Sequence, residues 1–280
     1  MRYIISADST CDLSREQVES NNIGIIPLHI ELGGKEYLDG VDVTPDDIYA
    51  YVDAGGDLAA TAAVNPDEYV TRFKQWSAAY DFVIHINISA DFSSCYQNAS
   101  LAARGFDNVY VVDSRNLSTG HGLVVMEACR LAEEGLAPKE IVEKLNELTG
   151  RVEASFIVEH LSYLRKGGRC SSIAALGANM LKLRPCIEVR DGKMAVGKKY
   201  RGNFDKCLQA YIHDKIAGRT DLDLRRIFIT HSKLPDKTLQ LAAQTVRELQ
   251  SFSEVCDTDA SCTVCTHCGP GTIGVLFIRK

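Results

Sequence analysis

No stretch of this 280-residue chain approaches the roughly twenty consecutive apolar residues that a membrane-spanning helix needs. Stable membrane insertion is therefore not expected. The N-terminus lacks the basic, then apolar, then small-residue layout of an export signal; MRYIISADST reads instead as a first strand. Positive charge is not in surplus. Lys and Arg number 31 against 37 Asp and Glu, a formal net charge of −6. A general nucleic-acid binder would show a basic stripe, so nucleic acid is not an expected partner. There is no GxSxG nucleophile elbow and no GxxxxGK[ST] phosphate loop, and no dinucleotide-type glycine loop is expected between a strand and a helix. Internal repeats and low-complexity linkers are also missing.

What is present is the composition of a folded α/β protein, with 45% hydrophobic residues, enough for a full core. Ten cysteines might suggest disulfides, but seven (Cys11, Cys95, Cys129, Cys170, Cys186, Cys207 and Cys256) follow no spacing pattern. Without an export signal they read as reduced, buried, small side chains, and the cytoplasm is the expected compartment.

The first half alternates strand and helix signals. YIISAD (3–8) is a compact apolar run, followed by a helix over 13–21. Residues 23–32 are strand-like and lead into a hairpin turn at GGKEY. Thr44-Pro45 and Asn65-Pro66 open two helices as N-cap and first helical residue. A strand at 82–88, a helix at 94–105, a strand at 109–114 and helices at 122–135 and 137–150 follow. Such alternation predicts a mostly parallel sheet with helices on both faces. The second half has a strand at 153–159, a hairpin over 186–201 about Asp191-Gly192, a helix at 204–217, a strand at 226–232, a helix at 236–250 and a last strand at 273–278. A hairpin within a β-α series predicts a mixed sheet. The expected organisation is two α/β domains, 1–152 and 153–280.

In such sheets ligands lie beyond the carboxyl ends of strands. Polar signals stand at four strand boundaries: ADST (7–10), NISADFSS (87–94), VDSRNLSTGHG (112–122) and THCGPGT (266–272). Each is also ordinary capping and turn chemistry. Ser89, Ser93 and Ser94 can cap a helix or help its free N–H groups hold an anion. His267 can act as a donor or base, or simply bond its own turn. Two further readings stay open. A hydrolase would use Ser93 or Ser94 as nucleophile, His267 as base and Asp113 as orienter. A metal site would use Cys262, Cys265 and Cys268, whose spacing is C-x-x-C-x-x-C; thiols filling apolar positions at a strand edge are the simpler account. Basic residues cluster at LRKGGR (164–169) and KLR (182–184).

ADSTCDL, IPL (26–28), the Thr61 segment, ISADFSSCYQNA (88–99), VDSRNLSTGHG, LSYLRKGGR (161–169), LKLRPCIEVRDG (181–192) and THCGPGTIGV (266–275) occur in this order. As an ordered set spanning the chain they resemble the DegV family, whose members include the fatty-acid-binding subunit of bacterial fatty acid kinase. The resemblance implies one long-chain fatty acid held between two α/β domains, its carboxylate on hydroxyls and its tail in an apolar tunnel. It also implies a separate kinase subunit that phosphorylates the bound carboxylate for phospholipid synthesis. The chain would then be a carrier rather than an enzyme, with no cofactor beyond its lipid. Carried over by position, Thr61, Ser93 and His267 are the carboxylate contacts, joined by Ser94. Ser94 stands where the family has glycine, and Cys95 where it has threonine. Arg165, Lys166 and Arg169 are expected to meet the kinase or the new phosphate.

Overall fold

A computed structural model describes residues 1–173 and 183–280. Lys182 of the KLR cluster and the first two residues of LKLRPCIEVRDG lie outside the described residues. The strands are β1 (Tyr3–Asp8), β2 (Gly24–Ile26), β3 (His29–Leu32), β4 (Lys35–Leu38), β5 (Ala60–Ala62), β6 (Phe82–Asn87), β7 (Val109–Asp113), β8 (Val152–Val158), β9 (Leu183–Arg190), β10 (Lys193–Arg201), β11 (Leu222–Ser232), β12 (Glu254–Asp259) and β13 (Thr272–Arg279). The α-helices are α1 (Arg15–Ser20), α2 (Pro45–Asp53), α3 (Pro66–Ala79), α4 (Cys95–Ala103), α5 (Ser118–Glu133), α6 (Pro138–Thr149), α7 (Ser162–Gly167), α8 (Phe204–Ile216), α9 (Asp236–Leu249) and α10 (Cys262–Cys268).

Three sheets result. A parallel sheet has the order β2-β1-β6-β7, and a small antiparallel sheet the order β4-β3-β5. The third, β10-β9-β8-β13-β11-β12, is mixed: β11 and β12 run parallel and its other pairs antiparallel. The α/β class with a parallel and a mixed sheet is as the sequence predicts. Strands up to β7 build the first two sheets and strands from Val152 onward build the third. We propose 1–152 and 153–280 as the two domains on this segregation.

Local chemistry explains the starts of α2 and α3. Thr44 and Asn65 each accept a hydrogen bond from the third residue of their helix, Asp47 and Glu68 reach back to the cap N–H, and Pro45 and Pro66 occupy the first helical positions. Each arrangement satisfies N–H groups that a helix start leaves free. The β9–β10 hairpin turns at Asp191 (φ 51°) and Gly192 (φ 82°), the left-handed pair that a two-residue hairpin demands.

The two large sheets meet across α5. Leu123, Val124, Val125 and Ala128 pack in one apolar cluster with Ile5, Ile84 and Ile86 of the parallel sheet and with Ala154, Phe228 and Leu276 of the mixed sheet. A helix apolar nearly all round is one buried between layers. The structure starts α5 at Ser118, four residues before the predicted start. The glycines there permit close approach: a Cβ on Gly122 would lie 2.6 Å from the Cys11 carbonyl. Two further boundaries differ. The run 23–32 is broken into β2 and β3, and a strand, β12, is added beside β11. No helix among the described residues is long and apolar enough to cross a membrane.

Candidate functional site

The polar strand ends converge. Residues 88–94, which follow β6, approach β5 and the short helix α10, and a cavity of about 460 Å³ opens between them. Thr61, Ser93, Ser94 and His267 all line it, as does Arg169. Its apolar wall includes Leu28, Ile88, Phe92, Leu117, Met194 and Val264. The volume lies within the roughly 300–1,000 Å³ usual for small-molecule sites. Arg169 and Asp91 are the charged side chains among the described lining residues, and Asp91 faces Lys193 at 3.5 Å.

His267 joins two distant parts of the chain. Its Nε2 lies 2.9 Å from Thr61 Oγ1, on β5. Its Nδ1 is buried against Gly167, where an added Cβ would come within 2.7 Å; glycine is required at this approach. Burial, with a smaller push from the Arg169 guanidinium, lowers the His267 pKa to about 4. The imidazole is therefore neutral at neutral pH and can offer one N–H donor. Ser93 Oγ accepts from the Cys95 N–H (3.3 Å) at the start of α4 and donates to Cys95 Sγ (3.1 Å). Ser94 makes no side-chain cap, so its hydroxyl is left to the cavity. Ser89 is different: it is fully buried and donates to the Gly192 carbonyl at 2.8 Å. It ties the site loop to the β9–β10 turn and does not line the cavity.

Two carboxylates hold α10 in place. Asp39 accepts from the N–H groups of Cys262 (2.8 Å) and Thr263 (3.2 Å), from Thr263 Oγ1 (2.7 Å) and from Ser9 Oγ (2.9 Å). Asp12 accepts from the Ser261 N–H (2.9 Å) and from Ser118 Oγ (2.6 Å). Carboxyl oxygens that accept from the N–H groups of a helix start satisfy donors the helix leaves free, and these contacts fix the helix that carries His267. A third carboxylate, Asp8, accepts from the Ile88 N–H at 2.8 Å and so fixes the start of the serine loop. The sequence signal for Asp8 and Asp12 was their place in ADSTCDL. Nothing local marks Asp39, because its partners on α10 lie more than 200 residues away and Ser9 lies 30 residues before it.

The three late cysteines sit on α10, not at a strand edge as expected. Cys262 Sγ donates to the Val43 carbonyl (3.3 Å), Cys265 Sγ to the Ala260 carbonyl (3.3 Å), and Cys268 lines the cavity. Burial pushes the Cys265 thiol up to about 12 and the other two higher still, which opposes the thiolate a metal ligand needs. Among the described residues no three His, Cys, Asp or Glu side chains converge as metal ligands would. The Ser–His–Asp reading also lacks its geometry. His267 Nε2 faces Thr61, Ser93 faces Cys95, and Asp113 accepts from the N–H groups of Ala90 (3.3 Å) and Arg115 (2.8 Å). Gly269 to Gly274 has GxGxxG spacing, but it leads from α10 into strand β13. It therefore presents no helix N-terminus to a pyrophosphate. Arg165 and Lys166 are exposed in the last turn of α7, outside the cavity lining, and Arg169 donates to the Gly167 carbonyl at 2.9 Å.

Residues 3–280 match the family described as uncharacterised protein, DegV family. A DegV domain-containing protein of Caldanaerobacter subterraneus is 30% identical over 281 aligned residues, which cover 100% of this chain and 99% of the relative. Among solved structures, a fatty-acid-binding DegV family protein from Thermus thermophilus superposes with a TM-score of 0.90 at 26% identity, covering 100% of both chains. A DegV lipid-binding protein from Thermotoga maritima gives 0.86, also at 26% identity and 100% of both chains. With a family match over nearly its whole length and relatives of the same length, this chain belongs to the DegV family.

Proposed function

We propose that this protein binds a long-chain fatty acid in the cavity between β5, α10 and the 88–94 loop. Its carboxylate is held by Thr61, Ser93, Ser94 and His267. The observation that carries the reading is the cavity itself, which joins three hydroxyls and a neutral imidazole to an apolar wall. A buried carboxylate must find donors or take up a proton. Each hydrogen bond to a charged group contributes roughly 1.5–3 kcal/mol. The tail contributes more, at about 0.8 kcal/mol per buried CH₂ before ordering costs. The relatives from Thermus thermophilus and Thermotoga maritima, which bind fatty acid and lipid, support the same ligand class.

The protein acts as a carrier without turnover of its own. It works in the cytoplasm, needs no cofactor, and presents the bound carboxylate to a separate kinase that forms the acyl phosphate for phospholipid synthesis. Arg169, on the cavity wall, is placed to meet the new phosphate. Arg165 and Lys166, on the adjoining exposed helix end, offer the kinase a positive docking surface. Their basic side chains also complement the α7 dipole, a role that charge reversal separates from docking.

Mass spectrometry of the purified protein is expected to find a free long-chain fatty acid released on denaturation. A covalent acyl adduct on Ser93 would overturn the carrier reading in favour of the hydrolase. For the kinase role, Arg169→Glu is expected to retain fatty acid but slow acyl-phosphate formation with the partner kinase, and added salt is expected to mimic the defect. Wild-type rates across salt concentrations would remove this segment from the kinase contact.

A further inference from the structure

We infer that Cys95 is a positioning residue for the head site: its sulfur holds the hydroxyl hydrogen of Ser93 until a ligand carboxylate takes that hydrogen over. The inference rests on the fatty-acid reading above. Ser93 lines the cavity, whereas Cys95 is fully buried and lies outside the described lining. A hydroxyl has one hydrogen and two lone pairs. On Ser93 the hydrogen goes to Cys95 Sγ at 3.1 Å, and one lone pair takes the Cys95 N–H at 3.3 Å. What is left for a ligand is the second lone pair. An ionised carboxylate only accepts hydrogen bonds, so it cannot use Ser93 as the hydroxyl stands. The O–H must first turn away from the sulfur.

The surroundings of the sulfur make that turn easy. Burial pushes the Cys95 thiol up to about 11, so at neutral pH it is an uncharged thiol and a weak acceptor. It is not orphaned when Ser93 turns away, because the Tyr69 hydroxyl and the Val64 N–H face the same sulfur. Tyr69 is fully buried and accepts from Asn87 Nδ2 at 3.0 Å, which leaves its own hydrogen for the sulfur. Asn87 also donates to Asp8 at 3.3 Å, the carboxylate that accepts from the Ile88 N–H at the start of the serine loop. The Cys95 N–H stays on Ser93 Oγ, so the oxygen keeps its place and only the hydrogen changes partner.

A ligand binds more weakly by the fraction of molecules that are competent to take it. Cys95 therefore lowers affinity by the share of molecules in which Ser93 points at sulfur. Cys95→Ala and Cys95→Val both remove the acceptor, one leaving space and the other filling it. Each is expected to tighten binding of palmitic and oleic acids about two- to fivefold, the low end of what one hydrogen bond is worth. Valine also serves should the alanine variant fold poorly. In a Ser93→Ala background neither substitution should change affinity, whereas a packing role for Cys95 would act in both backgrounds. A second readout needs no binding by the Ser93→Ala protein. The infrared S–H stretching band of Cys95, identified as the band lost in Cys95→Ala, should shift when palmitic acid saturates the wild type. Equal or weaker binding by both Cys95 variants, the same change with and without Ser93, or an S–H band that does not move refutes the role of Cys95 and leaves the fatty-acid reading standing. No binding of either acid by the wild-type protein refutes the fatty-acid reading and this inference with it.

Discussion

Replacing Asp12 by Asn should make the protein less sensitive to alkaline pH, and the size of the effect can be worked from the structure. Asp12 has a left-handed backbone (φ 51°) and is 5% exposed. It links the first residue of α5, through Ser118, to the N-cap of α10, through Ser261. Burial raises its pKa from 3.8 to about 7; the hydrogen bonds from Ser118 and Ser261 oppose this, and the nearby Asp39 carboxylate adds to it. A carboxyl whose folded pKa exceeds its unfolded one stabilises the fold fully below the unfolded value. That stability is lost as pH rises through the folded value. The window therefore runs from about 3.8 to about 7. Three units of pKa correspond to about 4 kcal/mol when the group is fully ionised, of which about 1.5 kcal/mol is already lost near pH 5. Asn copies the protonated form: Nδ2 can donate to Ser118 Oγ, Oδ1 can accept from the Ser261 N–H, and Asn tolerates positive φ. Urea unfolding of wild type and Asp12→Asn near pH 5 and near pH 9 should show the stability gap moving in favour of the variant by about 2.5–3 kcal/mol. A gap that stays constant over that range would falsify the buried, protonated Asp12.

Thr61→Val and Ser93→Ala should each weaken fatty acid binding by about 10- to 100-fold, the equivalent of one lost hydrogen bond to a charged group. Both unfolding transitions should stay near wild type, Ser93→Ala losing about 1 kcal/mol for its N–H contact at α4; equal affinities by fluorescent fatty acid titration would remove these hydroxyls from the head site. Asp39→Ala should destabilise the fold by about 3 kcal/mol or more, since it strands the N–H groups of Cys262 and Thr263 and two hydroxyls. A urea midpoint within error of wild type would show that α10 is held by other contacts.

What could be read from the sequence was what is encoded locally. Thr44-Pro45 and Asn65-Pro66 carry their caps within four residues, and Asp191-Gly192 defines its turn by backbone preference alone. The helix α10 was hidden because CTVCTHC is rich in residues of weak helix propensity. Its start is satisfied by the Ser261 side chain, which accepts from the Val264 N–H, and by Asp39 and Asp12, 223 and 249 positions away. β12 was hidden because EVCDTD is an acidic edge strand with one neighbour, β11, and charge is how edges are kept from pairing further. The site residues came from an ordered resemblance, not from any one motif. No local pattern places Thr61 beside His267 across 206 residues.

The neutrality of His267 bears on how a carrier differs from a trap. An imidazolium or lysine at the head site would pair with the carboxylate and withdraw its charge. A neutral imidazole and hydroxyls hold the same oxygens by hydrogen bonds while leaving the negative charge on the ligand. On the proposed reading that charge is needed, because the carboxylate oxygen must attack a phosphoryl group. The structure places the nearest lining cation, Arg169, on an exposed rim beside the cavity, where it can answer the phosphate after transfer. Burial, and to a smaller degree Arg169, lower the His267 pKa, so on the proposed reading the guanidinium that would serve the product also disfavours an imidazolium beside the carboxylate. Loss of Arg169 should therefore let His267 protonate at a somewhat higher pH than in the wild type, while burial, the larger cause, still holds it below the ordinary imidazole value.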